Sequence, residues 1–346
     1  MEEEKDLSAY LPKDATPNSA QEGINIERSH EEITWVAQKA QEVRTEMAKY
    51  IIGQQEAVEL MLIGLFSNGH LLVEGVPGIA KTLSAKVLAK AIHAHFNRIQ
   101  FTPDLMPTDV IGTSVFQMKE GAFHFKRGPI FSNIVLIDEI NRAPAKTQSA
   151  LFEVMEERQI TFDGEVYPME FPFLVLATQN PIEQEGTYNL PEAQLDRFLF
   201  KIKIGYPDLQ DEIAIMERYK SELSQGKLED VSAILNVNDL RKIQHTVTAV
   251  IIDSQLIEYI AKIILATRNH VHLYLGASPR ASLSIMKAAK TMALLRGRDF
   301  VSPDDIQFVA KHVLNHRVIL TAEAEMEGLT SENIIAEIIQ SLEVPR

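Results

Sequence analysis

Two acidic residues, Asp138 and Glu139, directly follow an apolar segment and are the first candidates for chemistry in this sequence. The segment, 133–137, ends in consecutive branched apolar residues, which is typical of a parallel strand buried on both faces. Ligands of open α/β sheets bind at the carboxyl ends of such strands, where two carboxylates could hold a metal ion and polarise a water molecule. A core strand that ends in an ordinary solvated turn is the alternative interpretation.

A glycine-rich loop earlier in the chain supplies the context that the acidic pair lacks. An apolar strand, 71–73, precedes the loop, and a helix is predicted to begin at Lys81 and Thr82. Such a loop binds phosphates through backbone N–H groups and a helix N-terminus, while the lysine reaches the terminal phosphates and the threonine hydroxyl reaches Mg²⁺. The candidate phosphate-binding residues are Gly75, Val76, Pro77, Gly78, Ile79, Ala80, Lys81 and Thr82.

Ala80 departs from the strict form of this loop, which has glycine at that position. We predict that the alanine is tolerated, because a methyl group is compatible with helical backbone angles. An ordinary glycine-rich turn between a strand and a helix is the alternative, and the acidic strand that follows makes it much less favourable.

Two polar residues next to later strands are further candidates. Asn180 follows the predicted strand 173–178, where its amide could orient an attacking water molecule or form a turn before Pro181. Arg197 precedes the predicted strand 199–204. It could form a salt bridge within its own subunit, or it could reach the nucleotide of a neighbour, where such an arginine accelerates the reaction by roughly 10³ to 10⁵.

The length of 346 residues predicts about two domains. We expect a disordered tail at 1–28, an α/β nucleotide-binding domain with a parallel central sheet at 29–206, and a helical lid at 207–346. Arg280 lies in the first turn of a predicted lid helix, where the helix dipole disfavours cations. A phosphate partner or a local carboxylate would each satisfy it.

Two hairpins are predicted inside the α/β domain. The first, 114–126, carries aromatic and methionine residues at every second position, which indicates either a working surface or packing against the core. The second, 159–167, turns at Asp163 and Gly164. Before the phosphate loop, apolar residues with Gly53 and Gln54 could form an adenine pocket, although packing explains their spacing equally well.

Composition limits the class of protein. The chain has 45% apolar residues, no cysteine and a formal net charge of −14. Disulfides and cysteine-ligated zinc are therefore excluded, and broad binding to nucleic acid is disfavoured, because such binding needs clustered cations. No apolar run reaches the roughly 20 residues of a membrane span, so we predict a cytoplasmic protein without a membrane span.

The motifs, taken in order, resemble those of a known family. GVPGIAKT, IVLIDE, ATQNP, AQLDRF and GASPRA are similar to the Walker A, Walker B, sensor 1, arginine-finger and sensor 2 elements of AAA+ ATPases. The longer segments DEINRAPAKTQSALFEVMEERQIT and LATQNPIEQEGTYNLPEAQLDRFLFK resemble the MoxR family. The resemblance covers about residues 30–320, and alanine at position 80 is common in that family.

The resemblance implies a role for each candidate residue. Lys81 would bind the β- and γ-phosphates of ATP, Thr82 and Asp138 would hold Mg²⁺, and Glu139 would be the base for the attacking water. Asn180 would position that water. Arg197 would act on a neighbouring subunit, and Arg280 would sense the nucleotide, either in its own subunit or in a neighbour.

The resemblance also implies a hexameric ring of identical subunits that hydrolyses ATP and remodels or activates a protein client. The first hairpin would face the pore or the client, and a partner could carry a von Willebrand A domain. A nucleotide-dependent switch or scaffold with incidental hydrolysis is the alternative. A nucleic-acid motor is disfavoured by the acidic charge.

Overall fold

The computed structural model describes residues 26–180, 188, 190–220 and 228–345. The predicted tail lies outside the described residues as far as position 25, and the first helix begins at Ile26. The α/β part comprises α1 (Ile26–Ala48), α2 (Gln55–Phe66), β1 (His70–Gly75), α3 (Lys81–Ala91), β2 (Phe96–Gln100), α4 (Pro107–Ile111), β3 (Gly112–Gln117), β4 (Ala122–Arg127), β5 (Ile134–Asp138), α5 (Ala145–Glu157), β6 (Gln159–Phe162), β7 (Glu165–Pro168), β8 (Leu174–Gln179), α6 (Glu192–Leu195) and β9 (Phe198–Ile204).

Five of these strands form one parallel sheet in the order β2-β5-β8-β1-β9, which confirms the predicted fold class. Every residue of β5 is buried. Ile134 and Leu136 belong to one hydrophobic cluster, whereas Val135 and Ile137 belong to another on the opposite face. The uninterrupted apolar run of β5 therefore reflects burial on both faces, as a central parallel strand requires.

The two hairpins form as predicted and pack against each other. Strand β3 pairs with β4, and β6 pairs with β7. The Phe125 ring lies 4.8 Å from that of Phe162 and 4.5 Å from that of Tyr167, so one aromatic of the first hairpin contacts the second hairpin. Met118 and Phe123 are 91% and 70% exposed, so the tip of the first hairpin leaves apolar surface uncovered.

The remainder of the chain is mainly helical and contains α7 (Leu209–Tyr219), α8 (Val237–Ala249), α9 (Ser254–Asn269), β10 (Leu273–Leu275), α10 (Pro279–Leu295), α11 (Pro303–Leu314), β11 (Ile319–Leu320), α12 (Ala322–Met326) and α13 (Ser331–Ser341). The short antiparallel pair β10–β11 adds to the predicted helices. One hydrophobic cluster contains residues of both α2 and α10, so the domain boundary at 206 and 207 stays a prediction. None of the described helices has the length and apolar content to cross a membrane.

His70, at the start of β1, is buried. Its Nδ1 accepts a hydrogen bond from the Val175 amide at 3.0 Å, so its Nε2–H donates to the Met155 carbonyl at 3.1 Å. Burial, with the nearby charge of Arg158, lowers the pKa of His70 to about 3. The folded protein thus keeps this ring unprotonated at pH values where the unfolded chain binds a proton.

This difference predicts that stability falls with acidification. Below about pH 6.5 the unfolded state binds one more proton at His70 than the folded state, so unfolding becomes easier by up to about 1.4 kcal/mol per pH unit. We expect His70→Gln to lose less stability than the wild type between pH 7.5 and 5.0, measured as the denaturant midpoint. His245→Gln, at an exposed position, should behave like the wild type. Equal losses in all three proteins would contradict this account.

Candidate active site

The phosphate loop connects β1 to α3 at the carboxyl edge of the sheet. Gly75 cannot be replaced without a collision, because a Cβ atom there would meet the Ile79 side chain and lie 2.7 Å from the Ile204 carbonyl oxygen. Gly78 has a φ of +89°, and a Cβ built on it would have no atom within 4 Å. The loop thus packs tightly at its start and is open at Gly78, as a phosphate-binding loop requires.

The backbone conformation at Ala80 differs from the prediction. This residue has φ 62° and ψ 19°, in the left-handed region, so the expectation of helical angles was wrong. A non-glycine residue in this region costs roughly 1–2 kcal/mol. Ala80 therefore holds a strained backbone conformation directly before Lys81, at the position where the strict motif has glycine.

Lys81 is held in the loop without a carboxylate partner. Its Nζ donates a hydrogen bond to the Gly75 carbonyl oxygen at 2.5 Å, and no described carboxylate lies within ion-pair distance. Burial lowers the pKa of Lys81, although the charges of Asp138, Glu139 and Glu74 act in the opposite direction. A partly buried cation beside an open loop fits the terminal phosphates of a nucleotide.

Asp138 ends β5 at the same edge and has both carboxylate oxygens engaged. Its Oδ2 accepts from Arg98 Nε at 2.5 Å, and its Oδ1 accepts from the Thr178 hydroxyl at 3.1 Å. The Asp138 residue is 7% exposed. Together with the Thr82 hydroxyl at the start of α3, this carboxylate provides the oxygen ligands that Mg²⁺ prefers.

Glu139 has a strained backbone conformation, and hydrogen bonds hold its side chain. Its φ of 57° is left-handed, an arrangement that clusters at functional sites. Its Oε2 accepts from Gln100 Nε2 at 2.9 Å and lies 3.1 Å from Arg142 Nε. Its amide donates to the Thr178 hydroxyl at 3.0 Å. Gln100 and Arg142 therefore hold one oxygen of this carboxylate, Oε2, in place.

Sequence reasoning missed Arg98, Gln100 and Thr178. Arg98 and Gln100 are two residues apart on β2, so they project from the same face of that strand. Gln100 is the register partner of Asp138. Alternating polar residues on a short strand were the only signal in the sequence, and that signal has meaning only once β2 is known to pair with β5.

Asn180 follows a central strand of the sheet, and Gly53 and Gln54 directly precede α2. Asn180 is 8% exposed and follows β8, the strand between β5 and β1. Gln54 Nε2 donates to the Ile79 carbonyl oxygen at 2.9 Å, which ties the segment before α2 to the phosphate loop. Gly53 and Gln54 line a cavity of about 920 Å³ together with loop residues and α7. The segment thus both packs and forms a wall of the site.

Arg197 and Arg280 lie far from the phosphate loop. Arg280 Nη2 is 2.7 Å from Glu156 Oε1, and Arg197 Nη1 is 3.7 Å from Glu156 Oε2. Arg197 also donates to the Phe152 carbonyl at 2.5 Å. A local carboxylate thus satisfies the misplaced cation of α10, which was one of the two predicted partners. Both arginines converge on one acidic residue at the end of α5.

A phosphate loop, an acidic strand end on the same edge of a parallel sheet and a helical lid define a P-loop protein of the AAA+ class. Comparison with known families agrees. Residues 70–200 match the ATPase family associated with various cellular activities (AAA), and residues 265–338 match the AAA lid domain.

The chain is 46% identical to Chaperone MoxR1 of Mycobacterium tuberculosis, an alignment that covers 87% of this chain and 81% of the relative. It is 30% identical to Protein MoxR of Methylorubrum extorquens, over 81% of this chain and 88% of the relative. A crystal structure of a candidate ATPase from Cytophaga hutchinsonii is 43% identical and has a TM-score of 0.86, covering 94% of this chain and all of that one. The chain therefore belongs to the MoxR family of AAA+ ATPases, and the resemblance of its motifs is confirmed.

Proposed function

We propose that the protein hydrolyses ATP in a ring of identical subunits, in which Arg197 and Arg280 complete the active site of the neighbouring subunit. The family supplies the ATPase class, and the geometry of the two arginines supports the shared site. Six subunits, as in the resemblance, is the ring size that we propose.

The observation that carries this proposal is the separation of the two arginines from the phosphate loop. Arg197 directly precedes β9, whose first residue, Phe198, pairs with His70 at the start of β1. Gly75, at the other end of β1, begins the phosphate loop. Six residues of strand span roughly 20 Å, so neither Arg197 nor its neighbour Arg280 reaches the nucleotide of its own subunit. A head-to-tail ring would place them at the next site.

Within one site, the roles follow from position. The loop amides and Lys81 bind the phosphates, and Asn180 orients water. Glu139 accepts a proton as water attacks the γ-phosphorus and the bond to the β-phosphate oxygen breaks. Thr82 and Asp138 would hold Mg²⁺, which would supply positive charge to stabilise the phosphates. Arg197 of the neighbouring subunit stabilises the negative charge that develops on the γ-phosphate in the transition state.

We further propose that the first hairpin contacts a protein client. Its tip exposes Phe116, Met118 and Phe123, whereas Phe125 connects the hairpin to its neighbour at the core. Apolar groups that remain exposed on a packed hairpin are suited to bind unfolded or extended segments of another protein. One relative carries the name chaperone, which supports this use. A partner with a von Willebrand A domain, a lack of nucleic-acid binding and a cytoplasmic location stay predictions.

A nucleotide-dependent switch with incidental hydrolysis is the second candidate. The observation in its favour is that other side chains of the same chain already form hydrogen bonds with the carboxylates of both acidic residues of the site. Arg98 and Thr178 contact Asp138, while Gln100 contacts Glu139. In a switch, these contacts would persist when ATP binds.

The two candidates are separated by the ATPase rate per protomer, measured against protein concentration and compared with particle mass. A shared site requires that the rate rise with concentration as rings form. A low rate that stays flat while rings assemble would refute the shared site and favour the switch.

A further inference from the structure

A cavity at the amino edge of the sheet contains more positive charge than its own subunit neutralises. This cation cavity has a volume of about 310 Å³ and lies between the start of β1, the end of α5 and the first half of α10. Its charged residues are the cations Arg158, Arg197, Arg280, Lys287 and Arg317 and the carboxylates Glu156 and Asp196.

Both carboxylates of the cation cavity are already committed. Asp196 Oδ1 lies 2.6 Å from Arg317 Nε, and this ion pair is buried on the arginine side. Glu156 is shared by Arg280 at 2.7 Å and Arg197 at 3.7 Å. No further acidic group lines the cavity in the described part of the chain, so the remaining cations lack a counter-ion there.

Lys287 is the cation of this cavity whose side chain is not engaged by another described group of the subunit. Its carbonyl oxygen accepts a hydrogen bond from the Thr291 hydroxyl, but among the described residues its side-chain ammonium has no hydrogen-bond or ion-pair partner. Burial lowers the pKa of Lys287, and the nearby charge of Arg158 lowers it further. Arg158 itself donates to the carbonyl oxygens of Asn68 and Phe173, at 2.8 and 3.3 Å. A cation placed among cations in this way is suited to an anion that comes from outside the subunit.

Lys287 and Arg280 share one face of α10. They are seven residues apart, which is two helical turns and about 10 Å along the axis, and Ser284 lies between them in the cavity wall. Arg197 contacts the same cavity from the strand side. The three cations therefore approach one small space from two elements.

We propose that Lys287 is a third cationic contact, beside Arg197 and Arg280, to the triphosphate bound by a neighbouring copy of this chain. This proposal rests on the shared site proposed above. A triphosphate is compact and multiply charged, so its terminal phosphate fits a small cavity in which three side chains converge. The lysine acts there as a flexible point charge, whereas the two arginines can donate paired hydrogen bonds.

The test uses the full chain with Lys287→Met, which keeps the length of the side chain and removes the charge. We expect kcat/KM for ATP to fall at least about tenfold, because a charge-assisted contact to phosphate is lost. Lys287→Arg should retain most of the activity. Lys290→Met is the matched control: it lies on the same helix, donates to the Thr248 carbonyl at 3.2 Å, and should match the wild type.

Mixing establishes in which subunit the lysine acts. Glu139→Gln subunits keep Lys287 but lack the proposed base. If Lys287 serves the neighbour, adding Glu139→Gln to Lys287→Met subunits restores part of the lost rate, whereas a lysine that serves its own site gives no recovery and the proposal is overturned.

Two other results would also overturn it. If Lys287→Met showed wild-type kinetics while Arg197→Ala lost activity, Lys287 would be excluded as a contact to the triphosphate. The shared site itself would still stand. Lys287→Met could instead need a higher protein concentration to reach its half-maximal rate while its kcat at saturation stays unchanged. That result would mean that Lys287 forms an ion pair with an acidic side chain of the neighbour and does not contact the triphosphate. If Arg197→Ala were also fully active, the shared site itself would fail.

Discussion

Replacing Arg197 with alanine is expected to lower the ATPase rate by roughly 10³-fold or more, because a finger arginine stabilises the charge that develops as the γ-phosphate leaves. Binding of ATP should persist, since the phosphate loop of the same subunit is unchanged. Phosphate release at saturating ATP measures the first effect, and titration with a fluorescent ATP analogue measures the second.

Arg44→Ala is the matched control for this variant. The Arg44 side chain is 27% exposed and 3.3 Å from Glu59, whereas that of Arg197 is 29% exposed and 3.7 Å from Glu156. If Arg197 were only a structural ion pair, the two variants would show similar, small changes in rate and melting temperature.

Complementation gives the sharper result. An Arg197→Ala subunit has an intact base, and a Glu139→Gln subunit has an intact arginine. In an equal random mixture about a quarter of the subunit boundaries combine the two intact groups, so the mixture should recover up to about a quarter of the wild-type rate. No recovery in mixed rings would show that Arg197 does not act between subunits.

Glu139→Gln is expected to reduce turnover by about 10²- to 10⁴-fold, the usual contribution of a general base. Glutamine keeps the shape of the side chain and removes its capacity to accept the proton. The affinity for ATP should remain, and the variant should accumulate in the ATP-bound state. Single-turnover hydrolysis and nucleotide binding, measured on the same preparation, separate the two effects.

Glu153→Gln, at an exposed position of α5, controls for the loss of one acidic charge and should keep the wild-type rate. Unchanged turnover in Glu139→Gln would remove Glu139 as the base. Asp138, which accepts hydrogen bonds from Arg98 and Thr178, would then be the remaining candidate for the base.

The sequence determined the parts of this protein that depend on local patterns. The apolar run before Asp138, the glycine spacing before Lys81 and the serine–proline starts of α10 and α11 each specify an element through burial or backbone geometry close in the chain. The parallel sheet and the helical lid followed from these elements. The family followed from motifs long enough to be specific.

Only the tertiary structure decided which side chains meet. It brought Arg98 and Gln100 to the acidic pair, because β2 pairs with β5 although 33 residues of other structure separate Gln100 from Ile134 in the chain. It also showed Ala80 in a left-handed conformation that the local pattern did not require. Above all, it placed Arg197, Arg280 and Lys287 around one cavity at the edge opposite the phosphate loop. That placement depends on strand order and on the ion pair by which Arg280 of α10 contacts Glu156 of α5, and neither is encoded in the spacing of any single motif.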